Sequence, residues 1–164
     1  MIRTEREITD PEEIREIIAG ANVCRLGMCE GERPYVVPVC FGVDGERLYF
    51  HCALEGTKLG ILRQNPNVCA EFEDVKTELV PSDTPCKTSI NYRSVIAFGK
   101  AVFVEDPVEI RHGLDTIVRQ YGGNPTQYSD GALARTLIIR IDIESITGRK
   151  NWKRVTESKG GRGT

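Results

Sequence analysis

Nowhere in the chain is there an apolar run near the roughly 20 residues that a membrane-spanning helix requires. The first residues, Met1-Ile2-Arg3-Thr4-Glu5-Arg6-Glu7, mix charges and contain no apolar core of the kind a secretory leader carries, so the expected location is the cytoplasm. Neither sign of charge is in excess: 22 Lys and Arg stand against 24 Asp and Glu, a net charge of −2. That balance gives no general pull toward nucleic acid or a membrane surface, and no partnership with either is expected. Histidine is scarce, with only His51 and His112, and no pair of the six cysteines has C-x-x-C spacing. A metal site normally needs closely spaced ligands, and none is expected. Cys24, Cys29, Cys40, Cys52, Cys69 and Cys86 fall mostly in apolar, strand-like segments and read as reduced core thiols. No G-x-G-x-x-G motif and no alternation of strands with helices is present, which disfavours a dinucleotide-binding parallel sheet.

What remains is an ordinary globular composition. The 164 residues are 40% hydrophobic and 28% charged, enough to bury the core of one domain. The expected domain covers residues 1–152. Residues 153–164, rich in Lys, Arg and Gly, are expected to form a disordered tail.

Asp10-Pro11-Glu12-Glu13 reads as an N-cap, a first-turn proline and a capping-box acid, followed by a helical stripe of Ile14, Ile17 and Ile18 that Gly20 ends. Strands are then expected over Val23–Cys29, Pro34–Val43 and Arg47–Cys52, the last two joined by the hairpin signal Asp44-Gly45. Together they read as an antiparallel meander. Pro38 interrupts the second strand and fits either a bulge beside a binding site or a plain edge, since proline has no N–H for a ladder. Thr57–Asn65 reads as a short helix, Val68–Phe72 as a strand and Asp74–Thr88 as a long polar loop of the sort that often carries function. Ser94–Val104 is a long strand in which Gly99 marks a bulge or bend. Asp106-Pro107 opens a second helix whose inner face is Leu114, Ile117, Val118 and Tyr121, stopped by Gly122-Gly123. Leu133–Ile146 is the last expected strand. The pattern predicts a mainly β fold with flanking helices, a six-stranded antiparallel split β-barrel.

The segment Leu48-Tyr49-Phe50-His51-Cys52-Ala53-Leu54-Glu55-Gly56-Thr57-Lys58-Leu59 carries the clearest chemical signal. A strand ends, the chain turns at Gly56, and a helix starts near Thr57. A helix N-terminus offers unpaired N–H groups and positive dipole charge, which suits a phosphate. Thr57 adds a hydroxyl and Lys58 a full cation. The same residues also serve as an ordinary cap with a solvated lysine. His51, at the strand end, reads either as a hydrogen-bonded rim histidine or as the candidate catalytic proton carrier. His112 falls on the outer side of the second helix and reads as non-functional.

In order and spacing, Val23-Cys24-Arg25-Leu26-Gly27, Pro34-Tyr35-Val36-Val37-Pro38-Val39, Leu48–His51 through Gly56-Thr57-Lys58, Tyr92-Arg93-Ser94-Val95-Ile96-Ala97-Phe98-Gly99 and Ile146-Thr147-Gly148-Arg149 resemble the pyridoxamine 5'-phosphate oxidase-like FMN-binding split-barrel superfamily, and more closely its nitroimidazole-resistance (Nim-type) branch. The resemblance runs from about Asp10 to Trp152. It implies a homodimer with FMN at the subunit interface. On that basis Thr57 and Lys58 hold the phosphate beside His51, and the backbone at Val37, Pro38, Val39 and Cys40 lines the isoalloxazine. Ser94 matches a flavin-contacting strand position, and Arg149 and Trp152 approach the site, Trp152 either stacking on the ring or packing on the barrel end. The chain departs from the vitamin-forming oxidases where their Ser-Arg-Lys motif is Glu55-Gly56-Thr57-Lys58 and where Arg149 is followed by Lys150-Asn151-Trp152, which argues against pyridoxamine-phosphate oxidation.

Two functions follow from the resemblance. One is a flavoprotein oxidoreductase that passes electrons from NAD(P)H to a small-molecule substrate such as a nitroaromatic or quinone. The other is a non-catalytic carrier or sensor of flavin or haem, for which His51, His112 or a cysteine is available as an axial ligand. A single-strand nucleic-acid barrel is disfavoured, because the basic residues are scattered outside the tail.

Overall fold

The computed structural model describes residues 4–74 and 78–151, and elements are numbered along the chain within them. Nine strands, all antiparallel, carry the fold: β1 (Glu7–Ile8), β2 (Cys24–Glu30), β3 (Arg33–Val39), β4 (Phe41–Asp44), β5 (Arg47–Cys52), β6 (Asn67–Glu73), β7 (Glu78–Val80), β8 (Ser89–Phe103) and β9 (Leu137–Asn151). The helices are α1 (Pro11–Gly20), α2 (Thr57–Gln64), α3 (Pro107–Gln120) and α4 (Asp130–Leu133), with short 3-10 turns at Thr4–Arg6 and Pro85–Lys87. The expected tail, 153–164, lies outside the described residues.

The hydrogen-bonded order is β3-β2-β6-β8-β9-β5-β4, with β1 added to β9 and β7 to β8. The two ends of this sheet, β3 and β4, are consecutive in sequence and joined through Cys40 alone. Counted as one bent stave, β3–β4 makes six staves. They wrap around the core as the expected split barrel, with the ladder open where β3 gives way to β4. The expected single strand over Pro34–Val43 is therefore divided: its first half pairs with β2, its second with β5. The break falls at Cys40, two residues beyond Pro38. Pro38 pairs only with Arg25, on the edge side of the ladder where its missing N–H costs nothing.

Alternation puts Leu26, Phe41, Leu48, Phe50, Phe72, Ile139 and Ile141 inside, all at most 1% exposed, in one continuous core closed by Ile17 of α1 and Leu59, Ile61 and Leu62 of α2. The β8–β9 ladder slips by one residue at Phe98/Gly99. Gly99 is required there, because a Cβ would come within 2.3 Å of the Asp142 carbonyl oxygen.

Local signals placed the helices well. Asp10 caps α1 by accepting the Glu12 N–H (2.9 Å), and Asp106 caps α3 through the Glu109 N–H (2.9 Å). Glu13, read as a capping-box acid, instead accepts from Lys150 Nζ (2.7 Å) and pins α1 to the end of β9. Besides the two 3-10 turns, three elements went unread: β1, α4, and the strand β7 inside the 74–88 loop. The last strand starts and ends later than expected, at Leu137 and Asn151. The thiols also differ from the reading of core cysteines. Of the five free cysteines among residues whose side chains are described, only Cys24 is buried, and Cys29 and Cys40 are exposed.

Candidate functional site

The chain leaves β5 at Cys52, crosses an exposed loop carrying Leu54, and enters α2 at Gly56. Gly56 sits at φ +140°, a backbone conformation that side chains rarely adopt, so the sharp reversal into the helix depends on glycine. Its carbonyl accepts the Leu59 and Gly60 N–H groups (3.0 and 3.3 Å), and no side chain caps the helix. The N–H groups of the first turn are left to face whatever occupies that end. The first turn of α2 holds no acid, whereas α1 and α3 carry Glu12, Glu13 and Glu109 there. It holds Lys58 instead, a cation at the positive end of a helix dipole. Lys58 Nζ lies 5.0 Å from the centroid of the buried Phe50 ring and forms no ion pair with a described carboxylate. Burial raises the Cys52 thiol above its ordinary range, and the nearby Lys58 pulls it part of the way back.

Other expected site residues lie at the β3–β4 junction. Val39 is buried and Val37 partly buried against the core, so Pro38 and Cys40 are the residues turned outward. The β4–β5 ladder ends at Phe41↔Phe50. One residue beyond that ladder, Cys40 and His51 come next in register, and both are exposed. His51 makes no side-chain hydrogen bond to a described residue. Lys58 thus lies on the Phe50 and Cys52 face of β5, while His51, on the alternate face, falls beside Cys40.

Ser94 and Arg149 form a second group. They face each other directly across β8 and β9, and Arg149 pairs on its other side with Glu7. Leu137, the register partner of Cys52, opens β9, and Arg149 lies 12 residues further on. At the rise of an extended strand that is about 40 Å of contour. Trp152, expected beside Arg149, lies outside the described residues. His112, read as non-functional, meets Asp44 Oδ2 at 2.9 Å on the surface.

Sequence reasoning missed what holds the helix layer against the barrel. α3 crosses β4 at Gly42, where a Cβ would meet the Thr116 backbone at 2.5 Å, and Gly113 of α3 rests on Tyr49. Both glycines lie outside any turn motif, so only the packing discloses them. Under α3, Arg140 donates to Glu109 (2.7 Å) and to Asp142 (2.7 Å), and Tyr49 donates to Glu109 (3.2 Å). These bonds hold Arg140 charged, well above its ordinary range. No helix among the described residues is long and apolar enough to cross a membrane, and no group of three or more His, Cys, Asp or Glu converges among them.

A family model described as pyridoxamine 5'-phosphate oxidase matches residues 10–150. Among solved structures, a candidate 5-nitroimidazole antibiotic resistance protein from Bacteroides thetaiotaomicron is 36% identical, with 88% of this chain and 86% of that one covered, at a TM-score of 0.78. Two more distant structures share the fold. The flavocytochrome Anf3 from Azotobacter vinelandii is 18% identical over 93% of this chain and 73% of its own, at a TM-score of 0.74. A FAD-binding protein from Mesorhizobium loti is 22% identical over 90% of this chain and 98% of its own, at a TM-score of 0.63. A curated relative, an uncharacterized protein from Rhizobium meliloti, is 32% identical over 63 residues, which is 38% of this chain and 41% of that protein's length. With a six-stave split barrel and a family match over nearly its whole described length, the chain belongs to the pyridoxamine 5'-phosphate oxidase-like split-barrel family, on its nitroimidazole-resistance branch.

Proposed function

We propose that this protein binds FMN at a homodimer interface and passes electrons from NAD(P)H to a small acceptor such as a nitroaromatic or quinone. The observation that carries the reading is the start of α2: uncapped N–H groups, no acid in the first turn, and Lys58 without a carboxylate partner among the described residues. A lone cation at the positive end of a helix is an unfavourable arrangement that a phosphate dianion turns into a favourable one. Thr57 and Lys58 would hold the phosphate, and the outward backbone at Val37–Cys40 would lie along the ring. When bound, FMN supplies a ring able to accept a hydride and hand electrons on. The protein's part is to orient it, with His51 at the open rim as the candidate proton carrier.

The family resemblance supports a shared site in which Arg149 and Trp152 approach a flavin held by a second copy. The nitroimidazole-resistance relative at 36% identity supports a nitroaromatic acceptor, and the more distant FAD-binding protein and flavocytochrome fit a flavin in this barrel.

The test is a visible spectrum of the protein after incubation with FMN and desalting. Retained flavin bands that bleach on anaerobic addition of NADPH are expected. Lys58→Gln is expected to weaken FMN binding about 10- to 100-fold, the range for one charge-assisted contact. Retention equal to that of the parent would reduce α2 to an ordinary helix start. Retained flavin without bleaching would favour a carrier or sensor, and a Soret band after haem addition would redirect the site to haem.

A further inference from the structure

The opening of the barrel has a specific wedge. In the β2–β3 ladder every pair of residue numbers sums to 63, from Glu30↔Arg33 to Cys24↔Val39. The next hydrogen-bonding pair in that register would be Asn22 with Phe41, and it does not form. The Tyr121 hydroxyl stands between them: the Phe41 N–H donates to it (3.2 Å), and it donates to the Asn22 carbonyl (3.1 Å). One direct rung is replaced by a bridged one, which spreads the strands by the width of an oxygen and lets β3 leave β2 and turn into β4. Both backbone groups stay satisfied, which explains why the opening is tolerated.

Tyr121 is itself firmly held. It caps α3, and the helix ends in a Schellman motif, with Gly123 N–H to the Val118 carbonyl (3.0 Å) and Gly122 N–H to the Arg119 carbonyl (3.0 Å), Gly122 at φ +72°. Its ring packs edge-on against Phe41 at 6.4 Å. The adjacent Gln120 donates to the Ile18 and Ala19 carbonyls (3.2 Å each) and ties the same end of α3 to α1. Immediately before Phe41 lie Val37–Cys40, the residues on which the ring is proposed to rest.

We propose that Tyr121 is a positioning residue: its hydroxyl holds the split open and thereby sets the Val37–Cys40 backbone that receives the flavin. The flavin half of this rests on the function proposed above. The wedge half stands on the hydrogen bonds alone.

Tyr121→Phe keeps the ring against Phe41 and removes only the bridging oxygen, and Gln120→Ala is a matched lesion one residue away that leaves the bridge intact. Amide exchange at Phe41, measured without FMN, is expected to rise about tenfold in Tyr121→Phe and to stay at the parent rate in Gln120→Ala, the size expected for one lost hydrogen bond. FMN affinity is expected to fall about tenfold in Tyr121→Phe and to remain within twofold in Gln120→Ala. Unchanged exchange at Phe41 in Tyr121→Phe would overturn the wedge. Faster exchange with parental FMN affinity, or an equal loss of affinity in Gln120→Ala, would overturn the positioning role. A parent that retains no FMN would refute the flavin reading and with it the positioning role, while exchange at Phe41 would still decide the wedge.

Discussion

The outer surface of this barrel has two unlike sides. Over β4, β5 and the first half of β9, outward residues are covered: Tyr49 and Ile138 are 0% exposed beneath α3 and form a second small core with Val104 and Ile117. Over β3, β2, β6, β8 and the second half of β9, no described helix covers them. Val36 is 63% and Phe98 53% exposed there. Between them in register lie Gly27 and Cys69, and the next row holds Arg25, ion-paired to Glu71 (3.0 Å) and Glu73 (3.5 Å). Both sides come from strands with the same inside–outside alternation. The difference lies in where one helix lands.

The sharpest way to break the contrast is to lift α3. Gly42→Ala puts a methyl group 2.5 Å from the Thr116 backbone, with no flexible side chain to yield. A loss of about 3 kcal/mol is expected, a drop in Tm of roughly 6–12 °C for a chain of this size, measured by a thermal melt. An unchanged melt would mean that α3 is not seated on β4 as described.

The inner side of the bare strands can be probed by pH. Burial pushes the Cys24 thiol from 9.0 up to about 12. A group whose folded pKa is raised contributes stability that is complete below the unfolded pKa and is lost as pH climbs to the folded value, so stability should fall between about pH 9 and 12. The limiting slope for one proton is about 1.4 kcal/mol per pH unit. Cys24→Ala should flatten that part of the denaturation profile by the same amount. An identical profile in the variant would show that the thiol is not sealed in the core.

The smallest effect on folding is expected on the bare side itself. Phe98→Glu should change monomer stability by less than about 0.5 kcal/mol, since the side chain is already in solvent. If a second copy covers this face, the same change should weaken self-association at least tenfold, read by light scattering across a dilution series. Parental association would move the interface elsewhere.

Much of this was legible one residue at a time. Asp10-Pro11 and Asp106-Pro107 announced α1 and α3, Asp44-Gly45 the β4–β5 turn, Gly99 the bulge, and Gly56-Thr57-Lys58 the helix start at the candidate site, because each signal acts within one turn of chain. Glu13 and Tyr121 were misread or under-read for the opposite reason. Each looked like a local feature, a capping-box acid and an inner-face residue, but its partner lies far away in sequence, at Lys150 for one and at Phe41 and Asn22 for the other. The division of Pro34–Val43 at Cys40 was likewise invisible, since the segment itself reads as an unbroken strand.

The sequence by itself determined α1, α2, α3, the β4–β5 turn and the cation at the start of α2, because propensity, capping and turn chemistry depend on near neighbours. Only the tertiary structure decided which outward face is covered and where the barrel splits. Those outcomes depend on helix packing and on single hydrogen bonds between residues some 80 to 100 positions apart, from Tyr121 back to Phe41 and Asn22, and no local pattern encodes them.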